Sequence, residues 1–191
     1  MTAAPLSVVV INASPNAESK TVTLAGLVVE EIRTRFADAR VEWIPVYHLG
    51  PGFTSAIVRD DVDAPTEQAL RAVALADVLV VAVPVHKGSY PGMFKHFIDL
   101  LDPYDLAGTP VLLVATGGSE RHSLVIDQVL RPLFGFFQAW VAPVGIYAAA
   151  ASFDGQLVLD PSLYSRAVLA VDDVEPLVRG KLAAARADTA Q

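Results

Sequence analysis

The sequence predicts an α/β fold, a doubly wound five-stranded parallel sheet in the order 2-1-3-4-5 with helices on both faces. Strands alternate with helices five times along the chain, which implies a parallel sheet with right-handed crossovers. Residues 77–83 and 109–115 are apolar without alternation, as strands buried on both faces are. Three of the strands end in loops rich in Ser, Thr and Gly, and in such a sheet ligands bind outside the carboxyl ends where strand order reverses.

The elements follow in order. Residues 6–11 are a short, β-branched apolar run that stops at a small polar loop. Ala25, Val28, Val29, Ile32 and Phe36 then recur at the spacing of one helix face, with Glu30, Glu31, Arg33 and Arg35 turned away, so residues 21–36 form the first helix. Residues 40–46 alternate as a second strand, nearer an edge because Pro45 has no N–H for a ladder. After a Gly/Pro-rich loop at residues 50–52, Asp63 caps a helix that carries an early Pro and an acidic first turn and runs to about residue 76. The third strand ends at Pro84, and Met93, Phe94, Phe97, Ile98 and Leu101 mark the helix after it. The fourth strand stops at Thr116, before a helix over residues 120–138. Residues 141–150 read as a fifth strand and 161–185 as a terminal helix, with residues 187–191 frayed.

The chain of 191 residues reads as one domain spanning 1–191, long enough to bury about 70% of its unfolded surface without a staple. Although 53% of residues are hydrophobic, no run approaches the ~20 needed to cross a bilayer, so no membrane association is expected. Residues 1–7 lack Lys and Arg and do not read as a signal peptide, and there is no cysteine. Both features fit a cytoplasmic enzyme. A formal net charge of −7 argues against a nucleic-acid partner, whose phosphates need a basic face.

The first loop carries Ser14, Ser19 and Thr21, with Lys20 between the last two. Hydroxyls and free N–H groups at a helix start suit an anion such as phosphate, although Ser14 or Ser19 serves equally as an N-cap. The loop lacks Gly-x-Gly-x-x-Gly and Gly-x-x-x-x-Gly-Lys-Ser/Thr, which leaves a mononucleotide. The second and third loops offer backbone groups and Tyr90 to the edge of a flat polar ring.

At these residues the sequence resembles the flavodoxin-like NAD(P)H-dependent FMN reductases, most closely the reductase components of alkanesulfonate and methanesulfonate two-component monooxygenase systems. Residues 14–21, 84–95 and 115–122, the last running on to Leu130, Arg131 and Pro132, carry the resemblance. It implies that FMN and NADPH or NADH are the cofactors, and that reduced FMN passes to a partner monooxygenase. It also implies that Ser14, Ser19 and Thr21, with Lys20, hold the FMN phosphate. Pro84, Val85, His86, Lys87, Gly88 and Ser89 border the isoalloxazine, and Thr116, Gly117 and Gly118 complete the pocket. The alternatives are an FMN-containing quinone or azo-dye reductase and, less favoured, a flavodoxin-type electron carrier.

The chain departs from that pattern at two positions. Asn16 stands where these reductases often have Arg, so the phosphate leans on Lys20 or backbone groups. Gln128 stands where the sulfonate reductases mark a π-type insertion with Tyr or His. Residues 116–132 match theirs in number, which predicts that the π-turn persists, with Gln128 bonded across a subunit contact and FMN exchangeable.

Hydride transfer from nicotinamide to flavin asks for stacking rather than side-chain acid or base chemistry, so no catalytic residue is assigned. His86 reads as a loop-surface histidine, and His122 as either a structural hydrogen bond or a ligand contact. Lys87 reads as a solvated lysine or an attractor for an NADPH phosphate. Asp99, Asp102 and Asp105 read as solvated surface, and no metal is expected. The stretch 120–138 is apolar almost all round, with Leu124, Val125, Ile126, Val129, Leu130, Leu133, Phe134, Phe136 and Phe137, so an outward face including Phe137 is expected in a homodimer or homotetramer contact.

Overall fold

The apolar runs assemble as the sequence predicts at the centre of the sheet and differ from it at one edge. A computed structural model describes residues 5–189. Strands β1 (Ser7–Asn12), β2 (Arg40–Pro45), β3 (Val78–Pro84) and β4 (Pro110–Gly117) lie parallel in the order β2-β1-β3-β4. Beyond β4 lie two short strands, β5 (Trp140–Val141) and β6 (Ile146–Ala149), both parallel to it. The expected fifth strand at 141–150 is thus split. Pro143 has no N–H for a ladder, and the Arg131 guanidinium takes the carbonyls of Ala142 (2.8 Å) and Pro143 (3.0 Å).

Alternate residues of the buried strands serve opposite faces. Val9, Ile11, Leu79, Val81 and Leu113 pack on the side of α2 (Pro51–Thr54), α3 (Ala64–Ala74) and α4 (Gly92–Asp99), where Phe53, Phe94 and Phe97 are fully buried. Val8, Val10, Val80, Leu112 and Val114 pack against α1 (Lys20–Arg35) and the terminal helix, through Leu24, Val28, Val171 and Val174. Each such side chain contributes about 1.5–3 kcal/mol by leaving water. Asp63 caps α3, its side chain accepting the Thr66 N–H at 3.1 Å as the sequence predicts.

The expected helix over 120–138 is broken. A 3₁₀ turn (Glu120–His122) leads to a π-helix (Ile126–Leu130) and then to α5 (Arg131–Phe136). Phe137, expected outward, is buried at 3% exposure, whereas Phe136 is 65% exposed. After β6 comes a small antiparallel hairpin, β7 (Phe153–Asp154) with β8 (Leu157–Val158), which sequence periodicity does not signal. The terminal helix α6 (Pro161–Thr189) runs past the expected end at residue 185, so residues 187–189, expected to fray, are helical; residues 190–191 lie outside the described residues, as do residues 1–4 of the leader reading.

Asp102 and Asp105 are not merely solvated. Both accept from the Arg59 guanidinium, at 3.1 and 3.0 Å, and Glu67 binds its other edge at 3.1 Å, while Asp99 pairs with Lys95. Hydrogen bonds from Arg59 and then Arg71 hold the Glu67 carboxyl at about 2, below its ordinary 4.5. The stabilisation from this pairing is present above the ordinary value and is lost as pH falls toward 2. Among the described residues, no helix is long and apolar enough to cross a membrane.

Candidate active site

The first loop is shaped by its own short polar side chains. Asn12, at the end of β1, accepts the Ser14 N–H on Oδ1 at 3.0 Å. Ser14 Oγ donates to the Asn16 carbonyl at 3.2 Å and accepts the Asn16 N–H at 3.3 Å. These bonds curl the chain into α1. Ser19 is the N-cap, its Oγ accepting the Val22 N–H at 3.2 Å, which leaves its own proton free to donate. Among the described residues, the N–H groups of Ala17, Glu18, Ser19, Lys20 and Thr21 find no protein acceptor. They lie at the positive end of a 16-residue helix. Lys20 does not stand free: its Nζ donates to the Ala150 carbonyl at 3.3 Å and lies 5.7 Å from the centre of the Phe153 ring.

The second loop leaves β3 at Pro84. The Val85 N–H donates to the Thr116 carbonyl at 2.7 Å, which ties this loop to the third. His86 and Ser89 then pair through two backbone bonds of 2.8 and 3.2 Å. Between them Lys87 and Gly88 have φ of 53° and 90°, as a type I′ turn requires, and this holds His86 and Lys87 exposed at the tip. Tyr90 is half-buried, its ring 5.3 Å from Phe94 and edge-on to it.

At the end of β4, leading into the third loop, the Thr116 hydroxyl lies 2.6 Å from that of Thr21, both buried. Tyr147 of β6 passes beneath Gly117 and donates its hydroxyl proton to the Ser119 carbonyl at 2.6 Å. A Cβ on Gly117 would collide with that hydroxyl oxygen, so the close approach needs glycine there. Burial, then the Glu120 charge, raises the Tyr147 pKa above its ordinary value. Gly118 is exposed, and His122 sits on the 3₁₀ turn that follows. The π-helix comes next, with Gln128 exposed at its centre and its N–H donating to the Leu124 carbonyl at 2.9 Å.

Three loops therefore converge at the switch point between β1 and β3, the first bonded to the third through Thr21 and the second to the third through Val85. Over residues 6–154 the chain matches the family described as NADPH-dependent FMN reductase. The chain belongs to that family.

Its fold is accordingly flavodoxin-like, and the protein is an oxidoreductase that reduces FMN with NAD(P)H. It is 39% identical to an NADH-dependent FMN reductase, SfnF, of Pseudomonas putida, over 97% of this chain and 100% of that one. It is also 39% identical to an FMN reductase (NADPH) of Pseudomonas aeruginosa, over 93% of this chain and 95% of that one. Among solved structures, an oxidoreductase from Corynebacterium diphtheriae superposes with a TM-score of 0.79 at 32% identity, covering 92% of this chain and 98% of that one.

The donor set of the first loop fits a flavin phosphate: acceptor-free N–H groups, the Ser19 proton and the helix dipole all favour an anion. Sequence reasoning missed two residues that shape the site. Asn12 reads as the end of a strand, but an Asn two residues before a Ser in a loop start is an Asx-turn signal. Tyr147 has no local signal, since its partner Ser119 is 28 residues away.

Proposed function

We propose that this FMN reductase treats FMN as an exchangeable substrate and supplies it, reduced, to a flavin-dependent monooxygenase. In this reading Ser14, Ser19 and Thr21 hold the phosphate together with the backbone N–H groups of the first loop, and Lys20 adds its charge at the edge of the cradle. Residues 84–89 border the ring, and residues 116–118 complete the pocket. FMN, when bound, supplies an N5 that accepts hydride from the nicotinamide. The chain's share is orientation and exclusion of water, and no side chain is assigned as acid or base. His86 and Lys87, held at the tip of the type I′ turn, border the side from which a nicotinamide approaches. We further read residues 1–191 as one domain, cytoplasmic, and assembled as a homodimer or homotetramer through the exposed apolar side chains around α5.

The observation that carries this reading is the row of N–H groups without acceptors at the start of α1, at the switch point of the sheet. The likeness in sequence to sulfonate-system reductases supports the monooxygenase partner, and the π-helix around Gln128 supports exchangeable flavin. A purified preparation is expected to be largely colourless, with NAD(P)H oxidation that saturates as free FMN is added. A preparation that stays yellow with stoichiometric FMN through extensive dialysis, and reduces quinones or azo dyes, overturns it in favour of a reductase with resident flavin.

A further inference from the structure

We propose that Thr116 is a positioning residue for the flavin phosphate, its hydroxyl donating to Thr21 and so turning the Thr21 proton toward the phosphate. The inference rests on the reading of the first loop as the phosphate cradle and adds a residue that acts through it.

Thr116 shares a face of β4 with Leu112 and Val114, the face that packs on α1, and Thr21 is the second residue of α1. Their hydroxyl oxygens are 2.6 Å apart, and the residues are only 7% and 2% exposed. Each hydroxyl has one proton and two lone pairs. One of the two protons is consumed between them. The other has, among the described residues, no protein acceptor, although a buried polar hydrogen is normally paired.

Its direction follows from the charge it faces. If Thr21 donated to Thr116, Thr21 would turn lone pairs toward an anion at the helix start. The reverse order gives a chain from the Thr116 proton to the Thr21 oxygen and from the Thr21 proton to a phosphate oxygen. Each bond in such a chain polarises the next, and the last is charge-assisted. Thr116 therefore raises the donor strength of a hydroxyl in the cradle without touching the phosphate itself.

The test is titration of the purified protein with FMN and with riboflavin, which lacks the phosphate, followed by flavin fluorescence. Thr116→Val is expected to weaken FMN binding about tenfold and riboflavin binding by much less, so that the preference for the phosphorylated flavin falls. Thr116→Ser is expected to restore FMN affinity. Because the effect runs through Thr21, the double variant Thr21→Val/Thr116→Val is expected to bind FMN no worse than Thr21→Val alone. Should Thr116→Val not fold, Thr116→Ala carries the same readout. Equal weakening of FMN and riboflavin makes Thr116 a wall of the ring pocket and overturns the relay. Wild-type FMN affinity in Thr116→Val beside weakened Thr21→Val overturns the relay but leaves the cradle standing. Wild-type affinity in Thr21→Val overturns the cradle and the relay with it.

Discussion

Two helices of this protein start from the same kind of place and turn out differently. After β1, a loop of small polar residues leads into α1, which is regular for 16 residues. After β4, another loop of small residues leads into a 3₁₀ turn, a π-helix and only then the short α5. The first start has a side-chain cap, Ser19 to the Val22 N–H, whereas Ser119 at the second makes no side-chain cap bond. The second is held from outside instead, by Tyr147 on the Ser119 carbonyl and by Arg131 on the carbonyls of Ala142 and Pro143. A helix stabilised by its own cap keeps regular hydrogen bonding, while one pinned by its neighbours accommodates an irregular turn.

The contrast makes unequal demands on single residues. Phe134 is fully buried and anchors α5 to the sheet, so Phe134→Ala is expected to cost about 3–5 kcal/mol in urea denaturation. A loss below about 1 kcal/mol would mean that the broken helix is not held by its core contact. Gly117→Ala is expected to cost about 1–3 kcal/mol through its collision with Tyr147, and Tyr147→Phe in the same chain to recover part of that. No recovery would place the strain elsewhere.

The caps themselves give a direct comparison. Ser19→Ala is expected to lower stability by about 1 kcal/mol, and Ser119→Ala by less than about 0.5 kcal/mol. Equal losses would remove the distinction between the two helix starts. The smallest expected effect on stability is at Phe136: Phe136→Glu is expected to change it by less than about 0.5 kcal/mol, as exposed positions do. The same variant is nevertheless expected to sediment as a monomer at micromolar concentration, where the wild type sediments as a dimer or larger. A monomeric wild type would count against assembly through this face.

The same comparison separates what was legible in the sequence from what was not. Strands β1, β3 and β4 are continuous apolar runs, and α1 and α3 carry their periodicity and caps in adjacent residues, so local reading found them. The π-helix is different. Across it the buried residues Ile126, Leu130, Phe134 and Phe137 still fall three to four apart, and the stretch reads as apolar almost all round because Leu124 and Phe136 are apolar and exposed. Resemblance to the sulfonate reductases, rather than periodicity, anticipated the π-turn. In the site, the three loops and their order were legible because each follows a strand end. The Lys20 bond to Ala150, the Thr21 bond to Thr116 and the Tyr147 bond to Ser119 join residues far apart in sequence, and no local pattern announces them.

The split of the last strand bears on how copies of this chain can meet. On one side the sheet ends in two strands of two and four residues with Pro143 between them, and Arg131 occupies carbonyls in the gap. On the other side β2 exposes Arg40, Glu42 and Pro45. The broken margin is a poor template for edge-to-edge pairing, and charged side chains and Pro45 blunt the other. Assembly through exposed helix side chains such as Phe136, as proposed above, needs neither margin of the sheet.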